Sequence, residues 1–323
     1  MGVNTFKFIG MNNVDDPANV GAPESDKYGR STTYTEAVSI TNMDPDNSGG
    51  VKTRKGQTAT TVAVPSHSGW NCVHGAFLVS GGFLNLFDGA SLTPLWPVDQ
   101  SLQMHYAVVN NLVVATNTQE YIIIENGAAA AVPAPTTEFK QAVPAGKYPF
   151  FYNGRVYLVV DNTLVFTDTN SAEVCDTRLM RIPVTQDLIT GAVPVDDGVF
   201  IGTETEIFFL AGNDPTTGME LRQVADVGMI PGTAVPAMGD KVASAKMRGS
   251  VMLCTTPEGI CIGGNGGEFV NVSARTFAPP AASNGAAILR EQAGLVYYMV
   301  ALSQGNPFNT YQQPTFELDE AEL

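Results

Sequence analysis

A small-residue turn followed by two short apolar runs recurs along most of this chain, and that repeat limits what it can fold into. VVATNTQEYIIIENG from Val113, FIGTETEIFFLAGN from Phe200 and MLCTTPEGICIGGN from Met252 align one above another. Each reads apolar strand, Thr, polar turn, apolar strand, then Gly or Asn. Thr116, Thr203 and Thr255 share one place before the turn, where a hydroxyl can satisfy turn amides. FLVSGGFLNLFDG from Phe77 and VYLVVDNTLVFTDTN from Val156 are looser copies. Gly75, Asn111, Gly154, Gly198, Gly249 and Gly294 open the units, at intervals of 36, 43, 44, 51 and 45 residues. A four-stranded propeller blade has a period of about 40–50 residues. Sandwiches have turns every ~8–12 residues and no such longer period.

With 32 Gly and 20 Pro between short Val-, Ile-, Phe- and Tyr-rich runs, and no capped helical period, the chain reads as all-β. The spacing predicts a β-propeller over residues 31–302, with six blades and five or seven as the neighbouring solutions. Five nearly complete units lie between about Ser66 and Phe277. The sixth is expected to form from both chain ends. TEAVSITN from Thr35 and VKTRKGQTATTV from Val51 would join ILREQAGLVYYMVAL (288–302), leaving no exposed sheet edge. Residues 1–30 then form an N-terminal arm and 303–323 an acidic C-terminal tail. Phe6, Phe8, Ile9, Phe308, Tyr311, Phe316 and Leu318 are the candidate partner contacts on these segments.

Charge excludes several functions. Seventeen basic and 32 acidic side chains give a formal charge of −15, which opposes binding to nucleic acid or anionic lipid. No apolar run approaches the ~20 residues that cross a bilayer, so membrane insertion is not expected. The start, MGVNTFKFIG, reads as neither a signal peptide nor a myristoylation site, because Phe6 stands where Ser or Thr is needed. A turn at Pro257-Glu258 would set Cys254 opposite Cys261 across a hairpin, as two buried hydrophobes or as a cross-strand bond.

No catalytic constellation emerges. His67, His74 and His105 fall on one blade and its edge and read as loop or strand-end residues. Asp44 and Asp46 begin like a calcium loop, but the twelfth position is Lys55 rather than Glu. Asp196 and Asp197 precede Gly198 in a turn. GGNGG (263–267) leaves a strand and leads to no helix, so it is not a phosphate cradle. No cofactor, metal or catalytic residue is expected, and the chain reads as a non-enzyme.

FIGMNNVDDPANVG from Phe8, followed by YTEAVSITNMDPDNSGGVKTRKGQTA from Tyr34, resembles the start of a group of tailed-bacteriophage structural proteins. The matching residues are Gly10-Met11-Asn12-Asn13, 37–42, 49–51 and Arg54-Lys55-Gly56, with Lys55 where a second Arg is usual. The similarity continues in FLVSGGFLNLFDG, in VPVDDGVFIGTETEIFFLAGNDP and in VADVGMIPGTAV (224–235). It implies a virion component of the tail or tail tip, similar to nozzle and hub propellers and made in the host cytoplasm. Its implied partners are other tail proteins, copies of itself in a ring and host-recognition fibre proteins, around a path for DNA ejection. Two other readings stand beside it. One is a carbohydrate-binding or carbohydrate-cleaving propeller, stacking sugars on Tyr148, Phe150, Phe151, Tyr152, Tyr297 and Tyr298. The other is a bacterial protein-interaction propeller.

Overall fold

The computed structural model describes residues 65–242, 247–275, 277–292 and 295–304, together with the backbone of short strands within the first 53 residues. The chain is all-β and of the propeller type, because five four-stranded antiparallel sheets follow one another in sequence. Sheet I comprises Ser66–Cys72, Gly75–Ser80, Phe83–Phe87 and Leu92–Pro97. Sheet II comprises His105–Val109, Leu112–Thr116, Tyr121–Glu125 and Ala128–Ala131. Sheet III comprises Lys147–Tyr152, Arg155–Val160, Thr163–Phe166 and Arg181–Pro183. Sheet IV is built from Ile189–Val195, Gly198–Thr203, Ile207–Ala211 and Glu220–Ala225. Sheet V is built from Val235–Met238, Ser250–Thr256, Gly259–Gly263 and Phe269–Asn271.

The turns at Gly75, Asn111, Gly154, Gly198 and Gly249 join the first and second strands of these sheets, so each unit begins one strand earlier than the turns suggest. Asn110, not Asn111, takes the left-handed conformation there, with φ +55°. A two-stranded sheet of Asn284–Gln292 and Leu295–Ser303 stands where a sixth blade was expected. Near the N-terminus, Lys7–Met11 pairs in parallel with Tyr34–Ala37, Glu24–Ser25 with Ser31–Thr32, and Met43–Pro45 with Val51–Thr53. Among the described residues these strands pair with one another and not with the C-terminal pair. The blade shared between chain ends is therefore not formed among them. Of the expected 35–42 and 51–62 strands, the described residues are 35–37, in Tyr34–Ala37, and Val51–Thr53; the remainder of each lies outside the described residues.

The chain divides into two compact units, Thr61–Leu188 with 283–285 and 303–323, and Met1–Thr60 with 189–282 and 286–302. In the first unit, sheets I and II enclose Phe77, Val79, Leu84, Val113 and Ile122, and sheets II and III enclose Val114, Val156, Leu158 and Val165. In the second, sheets IV and V share Phe200, Phe209, Met229, Met252 and Cys254. The buried middle strands carry Val, Ile, Leu and Phe on both faces, as a strand covered on each side must. Fully burying such a side chain contributes about 1.5–3 kcal/mol.

The repeated Thr residues sit at the ends of second strands and are wholly buried. Thr116 Oγ1 lies 2.9 Å from the Glu120 carbonyl and 3.1 Å from that of Gly146, and accepts the Gly146 N–H at 3.2 Å. One hydroxyl thus closes its own hairpin and ties sheet II to the chain entering sheet III. Thr203 Oγ1 accepts the N–H groups of Thr205 and Glu206. In sheet V it is Thr256, not Thr255, that accepts the turn N–H of Glu258. The two-residue turn shifts the capping place by one residue. Thr255 instead meets the Tyr298 hydroxyl at 2.9 Å, and Tyr298 donates to the Thr233 carbonyl at 2.7 Å.

Candidate functional site

Sheet III departs from the repeat. Between its third and fourth strands the chain makes an excursion, and Val174–Asp176 pairs antiparallel with Lys140–Ala142, placing Lys140 opposite Asp176. At the end of this small sheet Phe139 has φ +59°, a genuine outlier for a bulky residue. Thr177 holds it there, donating to the Phe139 carbonyl from both N–H (2.9 Å) and Oγ1 (3.1 Å). Phe139 remains 48% exposed, and Leu179 beside this loop is 55% exposed. The Arg178 guanidinium stacks over the ring, 4.7 Å from its centroid.

Arg178 is itself fixed. Its Nε and Nη2 donate to the two oxygens of Asp176 at 3.0 and 2.8 Å, the forked geometry that orients a guanidinium. Arg178 first, then Lys140, holds the Asp176 carboxyl well below the usual carboxylate range. Lys140 bridges Asp168 at 2.7 Å and Asp176 at 3.4 Å. Hydrogen bonding to Asp168 in turn raises the Lys140 ammonium. The result is an aromatic ring and a guanidinium presented to solvent in one fixed arrangement, on an insertion that the sheet itself does not require. Sequence reading missed it, because neither the left-handed Phe139 nor the pairing of Lys140 with Asp176 has a local signature.

The residues singled out from sequence have other roles. The backbone of Phe8 and Ile9 lies in Lys7–Met11; Phe6, Phe308, Tyr311, Phe316 and Leu318 lie outside the described residues. Asp44 falls in Met43–Pro45 and Asp46 outside the described residues. Cys254 and Cys261 are register partners, both buried and free. His74 lies exposed in the first turn of sheet I. His105 opens sheet II edge-on to Tyr148, at 4.7 Å between centroids, with Nε2 enclosed and without a partner among the described residues. Burial, then the nearby Lys147 charge, pushes its imidazole down to about 3.

The candidate sugar-stacking aromatics are largely taken up in packing. Phe150 and Tyr152 are buried, Phe150 stacking on Tyr157 at 5.2 Å. Burial pushes the Tyr148 hydroxyl up to about 12, and Tyr298 is committed to Thr255 and Thr233.

Asp196 and Asp197 meet the glycine-rich loop within the second unit. Asp196 Oδ2 accepts from Ser250 N–H (3.2 Å) and Asn265 Nδ2 (3.1 Å), and Asp197 Oδ2 accepts the Gly266 N–H at 2.8 Å. Gly266 and Gly267 both have positive φ, and the Gly266 amide donates to the Asp197 carboxylate. The GGNGG loop is thus tied to both carboxylates, through the Asn265 side chain and one backbone amide. A nearby groove of about 480 Å³ is lined by Pro194, Pro236, Met238, Leu289 and Val296, with the Lys241–Glu291 ion pair (2.9 Å) among its walls.

No protein-family profile matches the chain, and no curated protein sequence matches it. Among solved structures, it is similar to the extracellular domain of a hybrid two-component system from B. thetaiotaomicron, with 9% identity and a TM-score of 0.48 over 76% of this chain. The chain spans only 32% of that protein. A gluconolactonase from Xanthomonas campestris is similar at 11% identity and a TM-score of 0.46, over 74% of this chain and 86% of its own. The Pan2 WD40 domain of Neurospora crassa is similar at 14% identity and a TM-score of 0.41, over 69% of each chain. At such identities these likenesses transfer no activity, substrate or partner to this chain.

Proposed function

We propose that this protein is a non-enzymatic structural component of a phage virion, in the tail or tail tip, which acts by assembly with other virion proteins. The observation that supports assembly most directly is the Phe139–Arg178 pair. Exposed aromatics and arginines are the residue types most enriched where proteins dock. Here both are already ordered, so little side-chain freedom is lost on contact. The interlocked sheets provide a stiff mount, and the sequence resemblance supplies the setting: a conduit, or a support for host-recognition proteins. Mass spectrometry of purified virions is the test. The reading requires this chain in stoichiometric amount. Its absence from particles that carry the rest of the tail would refute the reading. Phe139→Ala is expected to lower incorporation about tenfold or more while leaving the thermal unfolding of the free protein nearly unchanged.

A further inference from the structure

The first strand of sheet I is irregular, with its register against the second strand slipping between His67 and Trp70. Ser68, inside this bulge, has φ +52°. In a regular strand, adjacent residues point to opposite faces. The bulge and the left-handed Ser68 turn the two side chains together, so that His67 Nδ1 lies 2.8 Å from Ser68 Oγ. The other ring nitrogen, Nε2, lies 2.8 Å from the Gln100 carbonyl.

A carbonyl can only accept, so Nε2 carries the proton and donates it to Gln100 O. In the neutral ring Nδ1 is then the bare nitrogen, and Ser68 donates to it. The Met104 N–H donates to Ser68 Oγ at 3.0 Å. With its proton directed to a base and one lone pair held, Ser68 Oγ keeps a second lone pair for attack. Gly69 follows with no atom near the place of a Cβ, which leaves the approach open. A hydroxyl with an adjacent base, and a third group that orients the base, is the arrangement that activates a serine.

We propose that His67 and Ser68 form a nucleophilic pair that accepts an acyl group from an uncharged ester. The Oγ–acyl bond forms as the ester C–O bond breaks. The Ser68 proton passes to His67 Nδ1 and from there to the departing alcohol oxygen. The substrate's charge follows from the surroundings. Between Gly56 and Phe139 there is no Lys or Arg, whereas Asp88, Asp99, Glu120, Glu125 and Glu138 are all acidic. This acidic stretch of chain disfavours an anionic ester. This modification site is independent of the assembly role.

The test uses the full-length protein with p-nitrophenyl acetate, read by peptide mass mapping. Acetylation of Ser68 is expected at least tenfold faster than at the surface residues Ser91 and Ser101. Ser68→Ala should abolish the adduct. His67→Ala should slow it tenfold or more, and added imidazole should restore it, which a purely structural His67 would not show. Circular dichroism confirms that both variants are folded. The anionic p-nitrophenyl hemisuccinate should react more slowly. No adduct on Ser68, a rate equal to that of Ser101, or a rate unaltered in a folded His67→Ala protein would overturn the proposal. Equal rates for the two esters would overturn the assigned substrate class.

Discussion

Sheets II and III, in one unit, and sheets IV and V, in the other, repeat the same four strands but are joined by different physics. Between II and III the tie is polar: the buried Thr116 hydroxyl serves the Glu120 carbonyl and both backbone groups of Gly146. Between IV and V the exposed contacts of Asp196 and Asp197 are polar, but the buried tie is largely steric. Gly191 and Gly202 are register partners, and Met229 lies against both, with Sδ 2.8 Å from where either Cβ would stand. Its backbone N–H reaches the Thr203 carbonyl at 2.9 Å. A repeat therefore conserves strand order more strictly than the means of joining one sheet to the next. A hydroxyl tie and a side chain in a glycine notch both satisfy a buried junction.

The largest expected effect falls on the glycine notch. Met229→Ala empties a fully buried site and should cost about 2–5 kcal/mol of unfolding free energy. Gly191→Ala places a Cβ 2.8 Å from Met229 Sδ and should cost about 1–3 kcal/mol through overpacking. The two should couple, because the alanine methyl partly fills the space that Met229 leaves. Urea unfolding of the singles and the double would show a total loss smaller than the sum. Strict additivity would mean that Met229 does not occupy the notch.

The polar junction should respond to chemistry rather than to size. Thr116→Val keeps the volume but deprives the buried Gly146 backbone of the hydroxyl, while the Glu120 carbonyl keeps the Asn117 N–H, at an expected cost of about 1–3 kcal/mol. Thr116→Ser, which keeps the hydroxyl, should lose much less. If the two variants unfold at the same urea concentration, the tie contributes nothing and the contrast between the junctions fails.

Much of this architecture was legible because it is local. The period of the repeat located five sheets, the Pro257-Glu258 turn set Cys254 opposite Cys261, and Thr203 fell where turn amides needed oxygen, whereas beside Thr116 the turn amides of Gln119 and Glu120 go to Asn117 Oδ1 instead. Thr255 was displaced by one residue because the eye aligns letters, while the hairpin aligns ladder partners, and a shorter turn moves the cap to Thr256. The N-terminal strands gave no warning of a parallel pairing between Lys7–Met11 and Tyr34–Ala37, since such a pair depends on a crossover rather than on a turn. The Phe139 platform and the His67–Ser68 contact both rest on non-glycine residues with positive φ, which composition does not announce. The meeting of Asp197 with Gly266 spans 69 residues of sequence. GGNGG reads from sequence as no phosphate cradle, and in the fold one of its amides, that of Gly266, donates to a carboxylate of the chain itself.

The smallest expected effect concerns that carboxylate contact, and its sign can be fixed in advance. Hydrogen bonds from Ser250 and Asn265 lower the Asp196 carboxyl below its ordinary 3.8. A group whose folded value is depressed stabilises the fold above its unfolded value, and that stabilisation is lost as pH falls through the folded one. Asp196 is exposed to solvent, so screening limits the contribution to a few tenths of a kcal/mol. Asp196→Asn should therefore unfold slightly earlier in urea at pH 7. The gap should narrow as pH falls past 3.8, where the wild-type carboxylate is protonated and resembles the amide. The hydroxyl junction at Thr116 contains no titrating group, so Thr116→Val should keep a constant gap over the same range. A pH-independent deficit in Asp196→Asn would assign the contact to shape rather than charge and would bring the two junctions closer in kind.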